Sequence, residues 1–274
     1  MKQFNLGQAW SRAMTLARGN FQFLAVIAGL FLFLPSLLFY VVMPDTMGMM
    51  MTPADDPKAM AELFADQAGP IVGAAILLML CSMVGYAAMV RLMGPGRPTV
   101  GEALSAAIRA LPTLIGCILL FLVGYLLFSL VFGLLVTALA MAVGPEGAAA
   151  LMLVLILVLI GYIFARLCIM MPVIVNEGVS NPITAYTRSW KLTKPAAWRI
   201  FGFFALLIVA YMVISLLVFG ALGLIAAMVG GMFVLALVSS LIGMLVSVVL
   251  SGILVAIHEQ LACQSGPALG ETFE

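Results

Sequence analysis

The stretch LLFSLVFGLLVTALAMAVGPEGAAALMLVLILVLIGYIF, residues 126–164, contains two long apolar runs separated by the sequence Gly-Pro-Glu-Gly. A helix that crosses a bilayer needs about 20 consecutive apolar residues, because the hydrocarbon core is about 30 Å thick. One unbroken helix through both runs would be much longer than the membrane is thick. Glycine and proline interrupt helices, so Gly144–Gly147 predicts the turn between two transmembrane helices.

Apolar runs of similar length recur along the whole chain. The composition is 65% hydrophobic and 8% charged, whereas soluble domains are about 45–50% apolar and about 25% charged. So much apolar surface requires lipid as its solvent, and a net charge of +1 gives no reason to expect a nucleic acid partner. We therefore predict an all-α polytopic membrane protein, with a single integral membrane domain over residues 1–274. The six predicted transmembrane helices are residues 21–43, 70–90, 113–143, 147–173, 198–228 and 232–257.

The distribution of Lys and Arg predicts the orientation. Eleven of the twelve lie in the N-terminal segment or in the segments 91–112 and 166–199. The remaining one, Lys58, lies with several acidic residues in the segment 44–69, which we expect to be an irregular loop. Cytoplasmic loops of membrane proteins are enriched in Lys and Arg. Both termini are therefore predicted to be cytoplasmic, and the acidic segment is predicted to be external.

Three segments with one shared pattern precede the first, third and fifth predicted spans. These collar segments are LGQAWSRAMTLAR (6–18), VGEALSAAIRALP (100–112) and PITAYTRSWKLTK (182–194). At 100° per residue, each places small and apolar residues on one face and polar residues on the other. We expect breaks in the helix at Gly19, Pro112 and Pro195. The pattern predicts three parallel pseudo-repeats, each an amphipathic interfacial helix plus a helical hairpin, at about 4–92, 98–173 and 180–260.

The polar faces of the collar segments carry cations that suit the anionic headgroups of phospholipids. A cation near an anionic leaflet contributes about 1 kcal/mol to membrane binding. The third segment also contains aromatic residues, and tryptophan and tyrosine are enriched where the membrane meets water. An interface anchor without a specific ligand is the alternative, since any amphipathic membrane helix has this composition. The predicted headgroup-binding residues are Arg12, Arg109, Arg188, Trp190, Lys191, Lys194 and Arg199.

Around the third collar segment the sequence resembles a known family. The residues concerned are Pro172–Val175, Glu177-Gly178, Pro182–Ala185, Arg188–Lys194 and Trp198-Arg199. They are similar to the glycerophosphoryl diester phosphodiesterase membrane-domain family and to related bacterial six-helix membrane proteins of uncharacterised function. The resemblance implies a location in the bacterial inner (plasma) membrane. A (β/α)8 catalytic barrel needs about 250 residues and only 17 follow residue 257, so we expect a stand-alone membrane domain without this barrel.

The sixth predicted span carries a stripe of small residues. Small residues at every fourth position allow two helix backbones to approach closely in a membrane. We therefore predict that the stripe packs against another helix, with a homodimer contact as the alternative. Its members are Ser239, Gly243, Ser247 and Ser251.

Candidate catalytic and metal-binding residues are few. The only histidine, His258, is followed by Glu259, and neither has a Ser, Cys or Asp partner at a recognisable spacing. We expect His258 to cap the end of the sixth span. Met43, Met47 and Met49–Met51 offer thioethers of the kind that bind Cu(I), but methionine is a common filler of cores and the chain contains 20 of them. We predict no catalytic residue, no metal and no cofactor.

The apolar cores of the predicted spans contain no Asp, Glu, Lys, Arg or His. Ionisable residues in these positions mark ion pathways and proton relays. We therefore expect a non-enzymatic protein that interacts with lipid or acts as a scaffold. Membrane phospholipid is the expected partner, and another membrane protein or a second copy is a further one.

Two other functions remain open at this stage. A transporter or channel for an uncharged or amphiphilic substrate would place three repeats around an axial path. An interfacial lipid-modifying enzyme would use His258 and Glu259, and it requires these side chains to lie within reach of Arg91, Arg166 or Arg188.

Overall fold

The computed structural model describes residues 5–42, 57–96, 98–229 and 232–265. Within these ranges every regular element is a helix and no strand occurs, so the all-α prediction is confirmed. A π-helical segment, Gly29–Phe33, joins α2 to α3, and a short 3-10 helix, Lys194–Ala196, joins α8 to α9. The α-helices are α1 (Leu6–Gly19), α2 (Phe21–Ala28), α3 (Leu34–Val42), α4 (Pro57–Met93), α5 (Val100–Val143), α6 (Pro145–Leu167), α7 (Met170–Glu177), α8 (Pro182–Thr193), α9 (Ala197–Val229) and α10 (Met232–Ser265).

Six helical stretches in the described ranges are long and apolar enough to cross a membrane, which confirms the predicted number. Large apolar side chains such as Leu127, Leu134 and Leu216 are exposed on them. Exposed apolar surface on this scale is typical of a protein that contacts lipid. The six stretches are Phe21–Val42, Ala68–Met93, Val100–Val143, Glu146–Glu177, Pro182–Val218 and Ala236–Cys263.

The predicted break between the third and fourth spans is confirmed. Helix α5 ends at Val143, and α6 begins at Pro145. Between them Gly144 has a φ of 84°, a left-handed conformation that glycine adopts without steric cost. Pro145 then takes the first position of α6, where the missing N–H of proline loses no helical hydrogen bond.

Two predicted boundaries are wrong. Helix α5 continues through Pro112, so the second collar segment and the third span form one helix of 44 residues. Proline removes a backbone hydrogen bond, but the alanines and leucines on both sides of Pro112 are strong helix formers and sustain the helix. The residues from Pro57 to 69, predicted as part of an irregular loop, are the first turns of α4. They contain Ala, Glu, Lys and Met, which also favour helix.

The chain divides into two compact units. Unit 1 comprises Met1–Arg12, Arg109–Ala210 and Ile253–Glu274. Unit 2 comprises Ala13–Ile108 and Tyr211–Gly252.

In unit 2, α2, the π-helical segment and α3 pack along α4. The closest approach is at Gly85, where an added Cβ would lie 2.8 Å from the Cβ of Phe31. One residue further along, the hydroxyl of Tyr86 forms a hydrogen bond of 2.7 Å with the hydroxyl of Ser247 on α10. Steric fit and paired hydroxyl groups therefore hold these helices together.

In unit 1, α8 packs against both α6 and α7. An added Cβ on Gly161 of α6 would overlap the ring of Phe201 on α9. An added Cβ on Gly116 of α5 would lie 2.7 Å from the Cγ of Pro182, at the start of α8. Both contacts require the absence of a side chain, so glycine sets the distances between these helices.

Each collar segment buries small residues at two shared positions and leaves the large residues next to them exposed or half-buried. The fully buried positions, the fourth and eighth of each segment, are Ala9, Ala13, Ala103, Ala107, Ala185 and Ser189. The large residues that follow them are exposed or half-buried: Trp10, Met14, Leu104, Ile108, Tyr186 and Trp190. The apolar face predicted from the sequence is thus divided, because its small residues lie against the neighbouring helices and its large ones do not.

Candidate functional site

Hydrogen bonds fix the N-terminal part of α8 in unit 1. The Asn181 side chain accepts a hydrogen bond from the backbone N–H two residues further on, at 2.9 Å, and so caps the helix. The Thr113 hydroxyl on α5 donates to the carbonyl oxygen of Ser180 at 2.9 Å. The Tyr186 hydroxyl on α8 donates to the carbonyl oxygen of Cys117 at 2.8 Å. The start of α8 is therefore attached to α5 at two points.

The C-terminal part of α8 closes the end of α6. The last carbonyl groups of a helix have no partner within it. Here the carbonyl oxygen of Arg166 accepts hydrogen bonds from the Ser189 hydroxyl at 2.9 Å and the Thr193 hydroxyl at 3.1 Å. Both hydroxyl groups are fully buried. The backbone of Arg166 is thereby held in a defined position, from which its side chain extends.

The Arg166 side chain lies among aromatic rings and is almost fully buried, with 2% of the residue exposed. Its guanidinium carbon is 4.2 Å from the centre of the Trp190 ring and 5.9 Å from that of Tyr162. Trp198 extends the group, with its ring centre 5.2 Å from that of Tyr162. Trp190 and Trp198 are 42% and 64% exposed. We call Tyr162, Trp190 and Trp198 the aromatic cluster.

Two nitrogen atoms of this buried cation, Nε and Nη1 of Arg166, have no hydrogen-bond acceptor within the described part of the chain. Arginine keeps its charge at any pH that a protein experiences. A cation–π contact contributes about 0.5–2 kcal/mol, whereas an unpaired buried charge costs several kcal/mol. The rings therefore compensate the charge only in part.

A second group of charged residues joins α7, α8 and α10. Glu177, the last residue of α7, receives a hydrogen bond of 3.0 Å from Nε of Arg188 on α8. Its other carboxylate oxygen lies 2.9 Å from Nε2 of His258 on α10. We call Glu177, Arg188 and His258 the Glu177 network. Because one carboxylate serves both basic groups, it connects three helices of unit 1.

A further ion pair joins the N-terminal helix to α10. Nε and Nη2 of Arg12 donate to the two carboxylate oxygens of Glu259, at 2.8 and 3.3 Å. The hydrogen bond to Glu259 raises the pKa of the Arg12 guanidinium, and the negative charge of Glu259 adds to this increase. The side chains are 50% and 27% exposed, so water screens the attraction and the pair contributes little to stability.

The structure places the predicted headgroup-binding residues in different environments. Arg12 and Arg188 are already paired with carboxylates. Trp190 covers Arg166. The others are exposed cations: Arg109, Lys191, Lys194 and Arg199.

Sequence reasoning did not single out Glu177, and it named Arg166 only as one of the cations that a lipid-modifying enzyme would need near His258. Glu177 belongs to the stretch that carries the family resemblance, and this was the available signal for it. Arg166 directly follows the apolar run of the fourth span, where a cation is usual at a membrane interface, so nothing in the sequence showed that it is buried. His258, expected at the end of a helix, lies inside α10, which continues to Ser265.

The predicted packing stripe on α10 is only partly buried. Ser247 and Ser251 are buried, and their hydroxyl groups donate to the carbonyl oxygens of the residues four positions earlier. Gly243 is exposed, and an added Cβ there would contact nothing within 4 Å. Ser239 is partly buried. The close approach is instead at Gly252, where an added Cβ would lie 3.1 Å from the carbonyl oxygen of Ala13.

The described residues contain no group of three or more His, Cys, Asp or Glu side chains that would hold a metal ion. The methionines at 43, 47 and 49–51 lie outside the described residues.

A comparison with protein-family models, with curated proteins and with solved structures finds no match. The class of the protein follows from its own features. It is an all-helical membrane protein with six helices in its described ranges that are long and apolar enough to span a bilayer.

Proposed function

We propose that this chain is a non-enzymatic membrane protein that binds phospholipid headgroups with the cationic and aromatic side chains of its collar segments. The observation that carries the proposal is the arrangement of α8. Ala185, Ser189 and Thr193 on one of its faces are fully buried. Trp190, Lys191 and the following Lys194 are exposed on the other side. A cationic amphipathic helix fixed beside the ends of spanning helices is typical of a lipid interface.

The shared burial pattern of the collar segments supports three parallel pseudo-repeats. Alanine or serine is fully buried at the same two positions of each segment, as in Ala9, Ala103 and Ala185. Each segment also lies before or at the start of the first of two consecutive apolar stretches. A collar of three such helices would present cations to one leaflet.

The positive-inside rule places this collar in the cytoplasm. Both termini are then cytoplasmic, and the anionic lipids of a bacterial inner membrane are the expected partners. The family resemblance around α8 agrees with this location. Another membrane protein, or a second copy, is a further partner for the exposed apolar surfaces.

The Glu177 network supports a structural role for His258 over a catalytic one. An interfacial lipid-modifying enzyme requires His258 and Glu259 to lie within reach of the collar cations, and Glu177 does link His258 to Arg188. However, Glu177 binds both groups and ties three helices together, and Glu259 is engaged by Arg12. Both carboxylates therefore already have a role in holding the helices.

The proposal is tested by the composition of the phospholipid that is extracted together with the protein. The full chain is extracted with a styrene–maleic acid polymer, and its phospholipids are compared with those of the bulk membrane. We expect enrichment of anionic phospholipid around the wild type. The triple variant R109Q/K191Q/K194Q is expected to lose most of it, because each cation contributes about 1 kcal/mol to attraction.

The matched control is Lys58→Gln, which removes a cation from the segment between the first two spans and is expected to keep the enrichment. If the triple variant and K58Q carry the same lipids as the wild type, the collar does not bind headgroups and the proposed function is wrong.

A further inference from the structure

We propose that Arg166 is the centre of a phosphate-binding site, which takes the phosphodiester group of a membrane phospholipid or an equivalent free phosphate. The inference rests on the proposed function, since it assigns the headgroup to one particular residue. It also changes which residue is expected to contact the headgroup phosphate, because Arg166 is not among the exposed cations of the collar segments.

The first argument is that this buried charge lacks an anion. Arg166 is 2% exposed, and its Nε and Nη1 atoms have no acceptor within the described part of the chain. Buried charges in proteins are paired or bind an ion. Two other arginines of unit 1, Arg12 and Arg188, have a carboxylate oxygen at 2.8 Å and 3.0 Å, respectively. A third anion is therefore expected at Arg166 and must come from outside the described chain.

The second argument is that the guanidinium group of Arg166 is in contact with aromatic rings. Its carbon lies 4.2 Å from the centre of the Trp190 ring, and a cation–π contact supplies no oxygen acceptor in place of an anion. Arginine presents donors that match the oxygens of a phosphate, and such charge-assisted bonds are about twice as strong as neutral ones.

The third argument is that the backbone of Arg166 is fixed before any ligand binds. Ser189 and Thr193 hold its carbonyl oxygen, and α8 itself is attached to α5 through Tyr186. Binding of a ligand therefore costs little conformational entropy of the protein at this position, which is the general advantage of a preorganised site.

The position in the fold identifies the source of the phosphate. Arg166 lies in the last turn of α6, at the end of an apolar run, and headgroup phosphates are located at this depth of a bilayer. The aromatic cluster reaches the surface beside it, with Trp190 and Trp198 exposed. We place the entrance next to Trp190, because this partly exposed ring is the side chain that covers the guanidinium.

The test measures binding at Trp190 directly. The full chain is prepared in a maltoside detergent with W10F and W198F, so that Trp190 is the only one of the three tryptophans that remains. Its fluorescence is titrated with dihexanoyl phosphatidylglycerol, with inorganic phosphate, and with dihexanoylglycerol, which has the same chains and no phosphate. We expect saturable binding of the phosphatidylglycerol and no saturable response to dihexanoylglycerol.

Variants of Arg166 identify the group that binds. In the same background, R166Q is expected to weaken binding of the phosphatidylglycerol by about 10- to 100-fold, the value of charge-assisted hydrogen bonds. R166K keeps the charge and loses the planar donors, so an intermediate loss is expected. The matched control R91Q removes a partly exposed arginine that lies outside the collar segments and is expected to change the affinity less than 3-fold, a limit set by surface screening.

Each outcome decides the proposal. Binding of both phosphatidylglycerol and inorganic phosphate supports a general phosphate site, and binding of phosphatidylglycerol alone assigns the lipid headgroup. Binding of inorganic phosphate alone supports the site with a free anion as its ligand. Equal responses to phosphatidylglycerol and dihexanoylglycerol overturn it, and this result needs no Arg166 variant to fold. Equal losses in R166Q and R91Q also overturn it.

The two proposals fail separately. If R166Q binds normally while R109Q/K191Q/K194Q loses its lipid enrichment, the collar binds lipid and Arg166 does not. If R166Q loses binding while the triple variant keeps its enrichment, the phosphate site stands and the collar proposal is wrong.

Discussion

Unit 2 and the α6–α7–α8–α10 junction of unit 1 hold apolar helices together by different means. In unit 2, Gly85 lets α4 lie directly on Phe31, and Tyr86 pairs with Ser247. In unit 1, Glu177 joins Arg188 to His258. The first contact depends on shape, and the second on charge. Of these two contacts, the one in unit 1 is made by ionisable side chains.

The difference has a physical origin in the residues at each contact. Small residues allow backbones to approach without the burial of a charge. Charged residues must each find a partner once they are buried. At the junction, Glu177 satisfies two basic groups and Arg166 is left over, so the surplus is positive.

The largest effect is expected from Gly85→Ala in unit 2. The new Cβ would lie 2.8 Å from the Cβ of Phe31, and neither atom moves without a shift of its helix. Such overpacking costs about 1–3 kcal/mol. The free energy of unfolding, measured by titration with SDS, is expected to fall by this amount.

The same helix provides the control for this prediction. At Gly73 an added Cβ would contact nothing within 4 Å, so Gly73→Ala is expected to stabilise the protein by about 0.5–1 kcal/mol through the higher helix propensity of alanine. If both substitutions change the stability in the same direction, steric fit does not govern the contact between α4 and the π-helical segment.

A smaller loss is expected from Glu177→Gln in unit 1. The change removes the charge shared by Arg188 and His258, while 23% of the Glu177 side chain is exposed to screening. Hydrogen bonds to charged groups contribute about 1.5–3 kcal/mol, and partial exposure reduces this to about 1–2 kcal/mol. The measurement is again the free energy of unfolding in SDS.

The double variant E177Q/R188Q sharpens this prediction. Because Arg188 loses its partner in E177Q, removing Arg188 as well is expected to cost less than the sum of the two single losses. Additive losses would show that the 3.0 Å contact contributes no coupling energy.

The smallest effect is expected from Arg12→Gln. The Arg12–Glu259 pair is about half exposed on the arginine side, so its loss is expected to cost less than about 1 kcal/mol. At about 1 M salt, where the screening length is about 3 Å, the difference from wild type is expected to disappear. A larger loss of stability that persists in high salt would show that Arg12 stabilises the fold as strongly as the residues of the Glu177 network do.

The outline of the fold was predictable because it depends on local properties of the chain. Run length, glycine and proline predicted six spans and the break at Gly144. The predicted break at Pro112 was wrong, because the helix-forming residues around this proline outweigh the loss of one hydrogen bond. The collar faces were predicted from periodicity, but periodicity does not distinguish Ala185, which is buried, from Trp190, which is exposed.

The sequence predicted the region in which the candidate site lies, but not all of the residues that form it. The cations and aromatic residues of 182–199 drew attention to α8, and Trp190 does belong to the site. Its partner Arg166 lies 24 positions earlier in the sequence, and no local pattern relates the two.

By itself, the sequence determined that this protein is helical and requires lipid, because the length and composition of its apolar runs leave no other solvent for them. It also determined which segments carry cations. Only the tertiary structure decided which of those cations are paired. Helix α8 brings Ser189 and Trp190 onto the end of α6, and Glu177 meets His258 across 81 positions of sequence. Whether a charge is compensated depends on distances of a few Å between residues far apart in the chain, and those distances exist only after the helices pack.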